Sequence, residues 1–295
     1  MQAQPKGAAR HLVNMREIAR DVAIIPGIIA NAYLVGNRES WVLVDAGTPG
    51  RERKIKAAAE ARFGPGAKPR AIVLTHGHFD HAGSAGPLAD LWDVRIYAHA
   101  LELPYLTGRS LYPPLDHTAP GFFSKLSRLF PSSTVNLGGR LVPLECGRGA
   151  PGLEGWECHY TPGHTPGHVA FFRRDGRLLV AGDALTTMNL DTFWGTVGKR
   201  PGVWRPPVPA TTNWAQARRS VELLAALRPA TIAAGHGIPM HGAAADRLAA
   251  LAADFPVPAH GRYVREAVRA DESGVTYLPP APRRKMGLPI RRTPE

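Results

Sequence analysis

THGHFDHAG, residues 75–83, gathers three of the chain's 12 histidines, His76, His78 and His81, around Asp80. It follows the apolar run AIVL (71–74), which reads as a short buried strand, and Gly83 precedes a helical pattern. The stretch is therefore a connecting loop. In extended backbone, residues two apart point the same way, which sends His76 and His78 toward one point. A turn at Asp80 and His81 aims that pair at a neighbouring point. Imidazole and carboxylate donors suit Zn, Mn, Fe or Co, and no thiolate is required. Four such donors in six residues favour two ions over one.

Outward from the loop, strands are predicted near 22–25, 30–35, 41–45, 71–74, 94–98, 134–144, 156–161, 168–173 and 177–182. Helices are expected at 51–63, with Ile55, Ala58, Ala59 and Phe63 on one face, and at 84–92. A third starts at Thr212 or Asn213 with Trp214, Ala217, Val221 and Leu224 inward, and a fourth covers 240–254. ATIAAGHG (230–237) gives a strand and a turn between them. The segments 103–131 and 187–212 are rich in proline and aromatics and read as inserts. LVDAG (43–47) before VLTHGH (73–78) is echoed by LVAGDA (179–184) before IAAGHG (232–237). Each half sets an acidic residue after one strand and a histidine after a later one. The expectation is an α/β, four-layer αβ/βα sandwich, with two β-sheets face to face and helices outside. An extension covers 1–21, a catalytic domain 22–258, and an irregular basic tail 259–295.

The 295 residues are 44% hydrophobic and 20% charged, an ordinary soluble composition. The first 21 residues lack the apolar core of a secretory signal. The most apolar stretch, VAIIPGIIANAYLVG (22–36), is too short to span a bilayer and is broken by Pro26 and Gly27. A cytoplasmic protein without membrane association is expected. Cys146 and Cys158 form no disulfide framework and read as reduced packing residues. The net charge of +12 draws five positive charges from RRKMGLPIRR (283–292), and the rest are scattered. A solvated basic surface is preferred over a nucleic-acid stripe.

Downstream, TPGHTPGH (161–168) sets His164 and His168 among breakers that preclude a helix. AGDA and AGHG set Asp183 and His236 at strand ends. Together with Asp45 and the opening loop, these motifs resemble the metallo-β-lactamase superfamily of metal-dependent hydrolases over about residues 22–242. The nearest likeness is to a bacterial glyoxalase-II-like and lactonase-like branch, where HGRYV (260–264) is also familiar.

The resemblance implies that His76, His78 and His164 hold one ion, Asp80, His81 and His236 a second, and Asp183 both. Asp45 would orient the loop by hydrogen bonds, and His168 would stand beside the ligands rather than among them. The implied cofactor is two divalent ions, zinc first, with Mn, Fe or Co compatible. They would activate a water for attack on a small ester, thioester or lactone, with Asp80 passing a proton to the leaving group. Asp183 and the lack of an export signal argue against antibiotic hydrolysis. Thr186 stands where quorum-signal lactonases often carry tyrosine, and nothing after 242 matches the glutathione grip of glyoxalase II. The 53 residues from Asp183 to His236 leave no room for the inserted domain of superfamily nucleases. Alternatives are a nucleic-acid phosphodiesterase and a one-iron persulfide dioxygenase. Tyr105, Phe122, Phe123, Phe193 and Trp194, with Thr186, are the candidate pocket walls. His99 and Glu102 follow a strand near the loop and read as locally structural. The expected partner is a small-molecule substrate, and a homodimer is compatible with the sequence.

Overall fold

The strand WVLV (41–44) sends alternate side chains into two different cores: Trp41 and Leu43 into one, Val42 and Val44 into the other. A strand apolar at every position needs cover on both faces. The computed structural model describes residues 14–129, 135–147, 151–198 and 201–281, and supplies both covers.

The first sheet takes its seven strands in chain order. They are β1 (Arg16–Ala19), β2 (Val22–Ile25), β3 (Ala32–Gly36), β4 (Trp41–Val44), β5 (Ala71–Val73), β6 (Ile96–His99) and β7 (Leu141–Leu144). β1 to β4 form an antiparallel meander, and β4 to β7 run parallel. The second sheet comprises β8 (Trp156–Tyr160), β9 (Val169–Arg173), β10 (Leu178–Gly182), β11 (Thr231–Ala234) and β12 (Met240–His241), ordered β12-β11-β10-β9-β8. Here only β10 and β11 are parallel.

Ile24, Tyr33, Val44, Phe171 and Val180 fill the space between the sheets. Helices Glu52–Phe63 and Ala85–Trp92 cover the outside of the first sheet through Ile55, Phe63, Leu88 and Trp92. Helices Trp214–Ala226 and Ala244–Ala253 cover the second through Val221, Leu224 and Leu248. The four layers are those expected from the sequence.

Several particulars differ. β1 lies inside the segment read as an extension. β7 begins at Leu141 rather than 134. Short helices, Leu103–Leu106, Phe122–Leu126 and Phe193–Gly198, punctuate the inserts. The segment read as an irregular tail folds into helix Arg262–Arg265 and a hairpin of β13 (Arg269–Asp271) and β14 (Gly274–Tyr277). Its turn is set by Asp271, whose carboxylate accepts from the Ser273 N–H at 2.7 Å. The basic run 283–292 lies outside the described residues.

The cysteine reading is corrected. Cys146 and Cys158 are bonded to each other, with Cα atoms 4.8 Å apart. Cys146 follows β7 and Cys158 lies in β8, so the bond joins the edge strand of one sheet to the edge strand of the other. A count of two cysteines carried no hint that the two edges meet. Among the described residues, no helix is long and apolar enough to cross a membrane.

The parallel pairs β4–β5 and β10–β11 end on the same side. Asp45, His76, Asp183 and His236 all follow these ends. Ligand sites form where parallel strands end, because the connecting loops converge there.

The Asn213 carboxamide oxygen caps helix Trp214–Ala226 by accepting from the Gln216 N–H at 3.0 Å. Asn213→Ala should therefore lose about 1 kcal/mol of stability, read as a lower urea midpoint at unchanged m-value.

Candidate metal centre

Ring nitrogens of three histidines converge first. His76 Nε2 lies 3.0 Å from His78 Nδ1, which lies 3.0 Å from His164 Nε2. A second group sits beside it: His236 Nε2 and His81 Nε2 are 3.6 and 4.0 Å from Asp80 Oδ2. Asp183 lies between the groups. Its Oδ2 is 3.5 Å from His164 Nε2 and 3.0 Å from His236 Nε2, and its Oδ1 is 3.4 Å from His81 Nε2. Donors bound to one tetrahedral ion at usual Zn–N distances stand about 3.3 Å apart, so the spacings fit. The donor chemistry fits as well. His81 Nε2 and Asp183 Oδ1 are buried and make no hydrogen bond. An orphaned pair of this kind at the meeting point of two ligand groups is what a cation would satisfy.

The surroundings fix each ligand. Asp45 turns off β4 with φ 58°, a left-handed conformation that aspartate tolerates. Its Oδ1 accepts from the Thr75 N–H at 2.8 Å, and its Oδ2 lies 2.8 Å from His81 Nδ1. This holds the His81 ring with Nε2 turned to the ligand cluster. His168 is adjacent to the ligands, as the sequence suggested. Its Nε2 accepts from the Asp183 N–H at 2.9 Å, and its Nδ1 faces Thr161 Oγ1 at 2.8 Å. Asn31 and Tyr33 reach across from the first sheet. The Tyr33 hydroxyl donates to Ala234 O at 2.6 Å and the Asn31 amide to Gly237 O at 2.9 Å. These bonds anchor the loop of His236, whose Nδ1 lies 3.0 Å from Ile29 O.

Electrostatically the site has two characters. Burial pushes His76, His164 and His78 down, the last to about 4, and so keeps them as neutral imidazoles. Burial also opposes charge on His81 and His236, but Asp183 and the other nearby carboxylates outweigh it and raise both. Burial likewise opposes charge on Asp183, and His236 and His81 outweigh it in turn, holding Asp183 well below the usual carboxylate range. A divalent cation would displace those imidazole protons, because metal ligands must be deprotonated.

Glu102, read from the sequence as locally structural, does more. Its carboxylate is fully buried and accepts four hydrogen bonds. Oε2 receives the Gly77 N–H at 2.9 Å and the Tyr112 hydroxyl, and Oε1 receives the Thr165 hydroxyl at 2.8 Å and the Gly167 N–H at 2.7 Å. One carboxylate therefore ties the His76–His78 loop to the His164 loop. His99 is local: it accepts from the Leu101 N–H and stacks on Tyr160 at 4.7 Å.

A cavity of about 610 Å³ opens over His78, Asp80, His164, Asp183 and His236. Of the aromatics expected to wall it, Phe123 does. Tyr105 is instead buried behind Tyr112, stacked on it at 4.1 Å. Phe122 packs edge-on against Phe193 at 5.3 Å, and Trp194 points to solvent, 78% exposed. Thr186 is buried and donates to Met188 O at 2.9 Å. None of these five lines the cavity. The walls missed in the sequence are Leu111, Tyr112 and Leu115 of LYPPL (111–115), with Val275 and Leu278 from the chain's end. The apolar run LYPPL was the available signal; nothing local marked the other two.

A model of the Metallo-beta-lactamase superfamily matches residues 25–236. The chain is 40% identical over 230 residues to the probable metallo-hydrolase YflN of Bacillus subtilis (strain 168), covering 77% of this chain and 87% of YflN. It is 28% identical over 131 residues to the hydroxyacylglutathione hydrolase GloC of Haemophilus influenzae (strain ATCC 51907 / DSM 11121 / KW20 / Rd), covering 44% of this chain and 53% of GloC. The crystal structure of TTHA1623 in a di-iron-bound form is 28% identical, with a TM-score of 0.50 over 73% of this chain and 92% of that one. The chain belongs to the metallo-β-lactamase superfamily of metal-dependent hydrolases.

Two variants probe the centre without touching a ligand. A Cβ on Gly235 would lie 2.1 Å from Asp183 Oδ1 and 2.5 Å from His81 Cε1. Gly235→Ala should retain the far-ultraviolet circular dichroism of the parent and bind fewer than two metal equivalents by elemental analysis. Glu102→Gln turns two of the four donors against an amide N–H₂. It should weaken metal binding by about 10- to 100-fold, measured by competition with a chromophoric chelator.

Proposed function

From this family membership we infer that the chain is a dinuclear metal hydrolase that cleaves a small ester, thioester or lactone. The observation that carries the reading is the pair of adjacent donor groups sharing Asp183 at the floor of a substrate-sized cavity. Divalent ions held there would lower the pKa of a coordinated water toward about 7 and polarise the scissile carbonyl. The residues of the chain divide the remaining work. His76, His78 and His164 would hold one ion and Asp80, His81 and His236 the other, with Asp183 lying between the two groups. Asp45 and His168 fix the orientation of His81 and the backbone of Asp183. Asp80 lines the cavity floor and is the carboxylate placed to hand a proton to the departing group.

GloC is a hydroxyacylglutathione hydrolase by name, and an acyl glutathione is a thioester, which supports a thioester within this class. Zinc suits the donor set, and the di-iron form of TTHA1623 supports iron as a second candidate. The apolar walls favour a small molecule over a nucleic acid, which needs basic residues tracking its phosphates.

The test pairs metal analysis with a panel of esters, thioesters, lactones and phosphodiesters. Turnover of a carbonyl substrate is expected, abolished by chelation and restored by Zn²⁺. Cleavage of phosphodiesters alone would overturn the reading. Asp183→Ala should lose at least one metal equivalent and fall in kcat/KM by more than about 100-fold, beyond the cost of losing an outer hydrogen bond.

A further inference from the structure

Above the metal side chains, the cavity walls are hydrocarbon. Leu111, Leu115 and Phe123 contribute from the 111–123 segment, Val275 and Leu278 from the chain's C-terminal part, and Ile29 from the turn between β2 and β3. Two of the polar groups along these walls are already engaged. The Tyr112 hydroxyl donates to Glu102. The Ser127 hydroxyl donates to Ser124 O at 2.7 Å and faces His117 Nδ1 at 2.9 Å. Among the described residues, Asp80 and Asp183 at the floor are the carboxylates that line the cavity and Arg128 the guanidinium. A sugar, a peptide or a leaving group with several carboxylates would go largely unpartnered there, at the cost of desolvating its polar atoms.

The 103–131 insert and the C-terminal part are joined by hydrogen bonds. The Tyr263 hydroxyl donates to Pro114 O at 2.5 Å, the Val275 N–H to Ser110 Oγ at 3.2 Å, and the Arg262 N–H to the Asp116 carboxylate. The hairpin therefore belongs to the cavity. Leu111 and Leu278 stand at the mouth 66% and 38% exposed, apolar surface that an entering hydrocarbon would cover.

We propose that the substrate carries a hydrocarbon chain, recognised by the wall that the 111–123 segment and the C-terminal hairpin build together. The proposal rests on the hydrolase reading above and adds the substrate class. The chain sits on either the acyl or the leaving-group side of the scissile bond, and the experiment separates the two.

Zn-loaded full-length protein is assayed on two series of straight-chain thioesters, with two to ten carbons varied first in the acyl group and then in the thiol. On one side kcat/KM should rise by about fourfold per methylene, the value of burying a CH₂, and then level off. Leu278→Asp should cut the ratio between the eight- and two-carbon substrates by at least about tenfold with two metal equivalents still bound. Leu278→Met should preserve that ratio. Flat series on both sides, with short thioesters still hydrolysed, would overturn the hydrocarbon proposal and leave the hydrolase reading standing. If no thioester, ester or lactone is hydrolysed, the hydrolase reading fails instead. Titration calorimetry then decides the proposal: octanoate binding more tightly than acetate supports it, and equal binding overturns it.

Discussion

A carboxylate taken out of water must be met by donors or by positive charge. At the edge of this sandwich, that requirement organises three separate groups. Asp183 is matched by His81 and His236, Asp45 by Thr75 and His81, and Glu102 by two backbone N–H groups and two hydroxyls. Each match also fixes something else: the metal donors around Asp183, the ring orientation of His81, and the spacing of two loops. Every donor group draws on both halves of the chain, so the centre exists only where the sheets face each other.

The four layers and the ligand cluster were legible because they rest on short-range patterns. WVLV, AIVL and LLVAG are apolar at every position, which a strand covered on both faces demands. The acidic residue or histidine just past each strand end marks where a loop must leave the sheet. The capping asparagine of the third long helix was equally local. Glu102 was not legible as a link between loops, because its partners at residues 77, 112, 165 and 167 are distant in sequence. The disulfide escaped for the same reason: it depends on the edges of two sheets meeting, not on any spacing within a strand.

The cavity shows the limit most clearly. Aromatic content pointed to the inserts, yet Tyr105 packs inward on Tyr112, and Phe122 packs against the half-exposed Phe193. Aliphatic and proline side chains at 111–115 do the lining, together with a hairpin more than a hundred residues later. Which face of an irregular segment turns to a cavity is decided by the partners it finds, here Asp116 and Pro114 with helix Arg262–Arg265 and Ser110 with the C-terminal hairpin. Composition alone carries none of that.

Among the described strands, the bond from Cys146 to Cys158 spans the backbone connection that leads from the first sheet to the second. Arg148 lies in that interval, a residue at which trypsin-like proteases cleave. A chain nicked there would be two polypeptides and still one molecule, running at full mass in a gel until a reductant is added. The tie makes the integrity of the backbone and the integrity of the metal centre separable. Four of the seven ligand residues, His76, His78, Asp80 and His81, would reside on one fragment and His164, Asp183 and His236 on the other, kept at high effective concentration by a single covalent bridge.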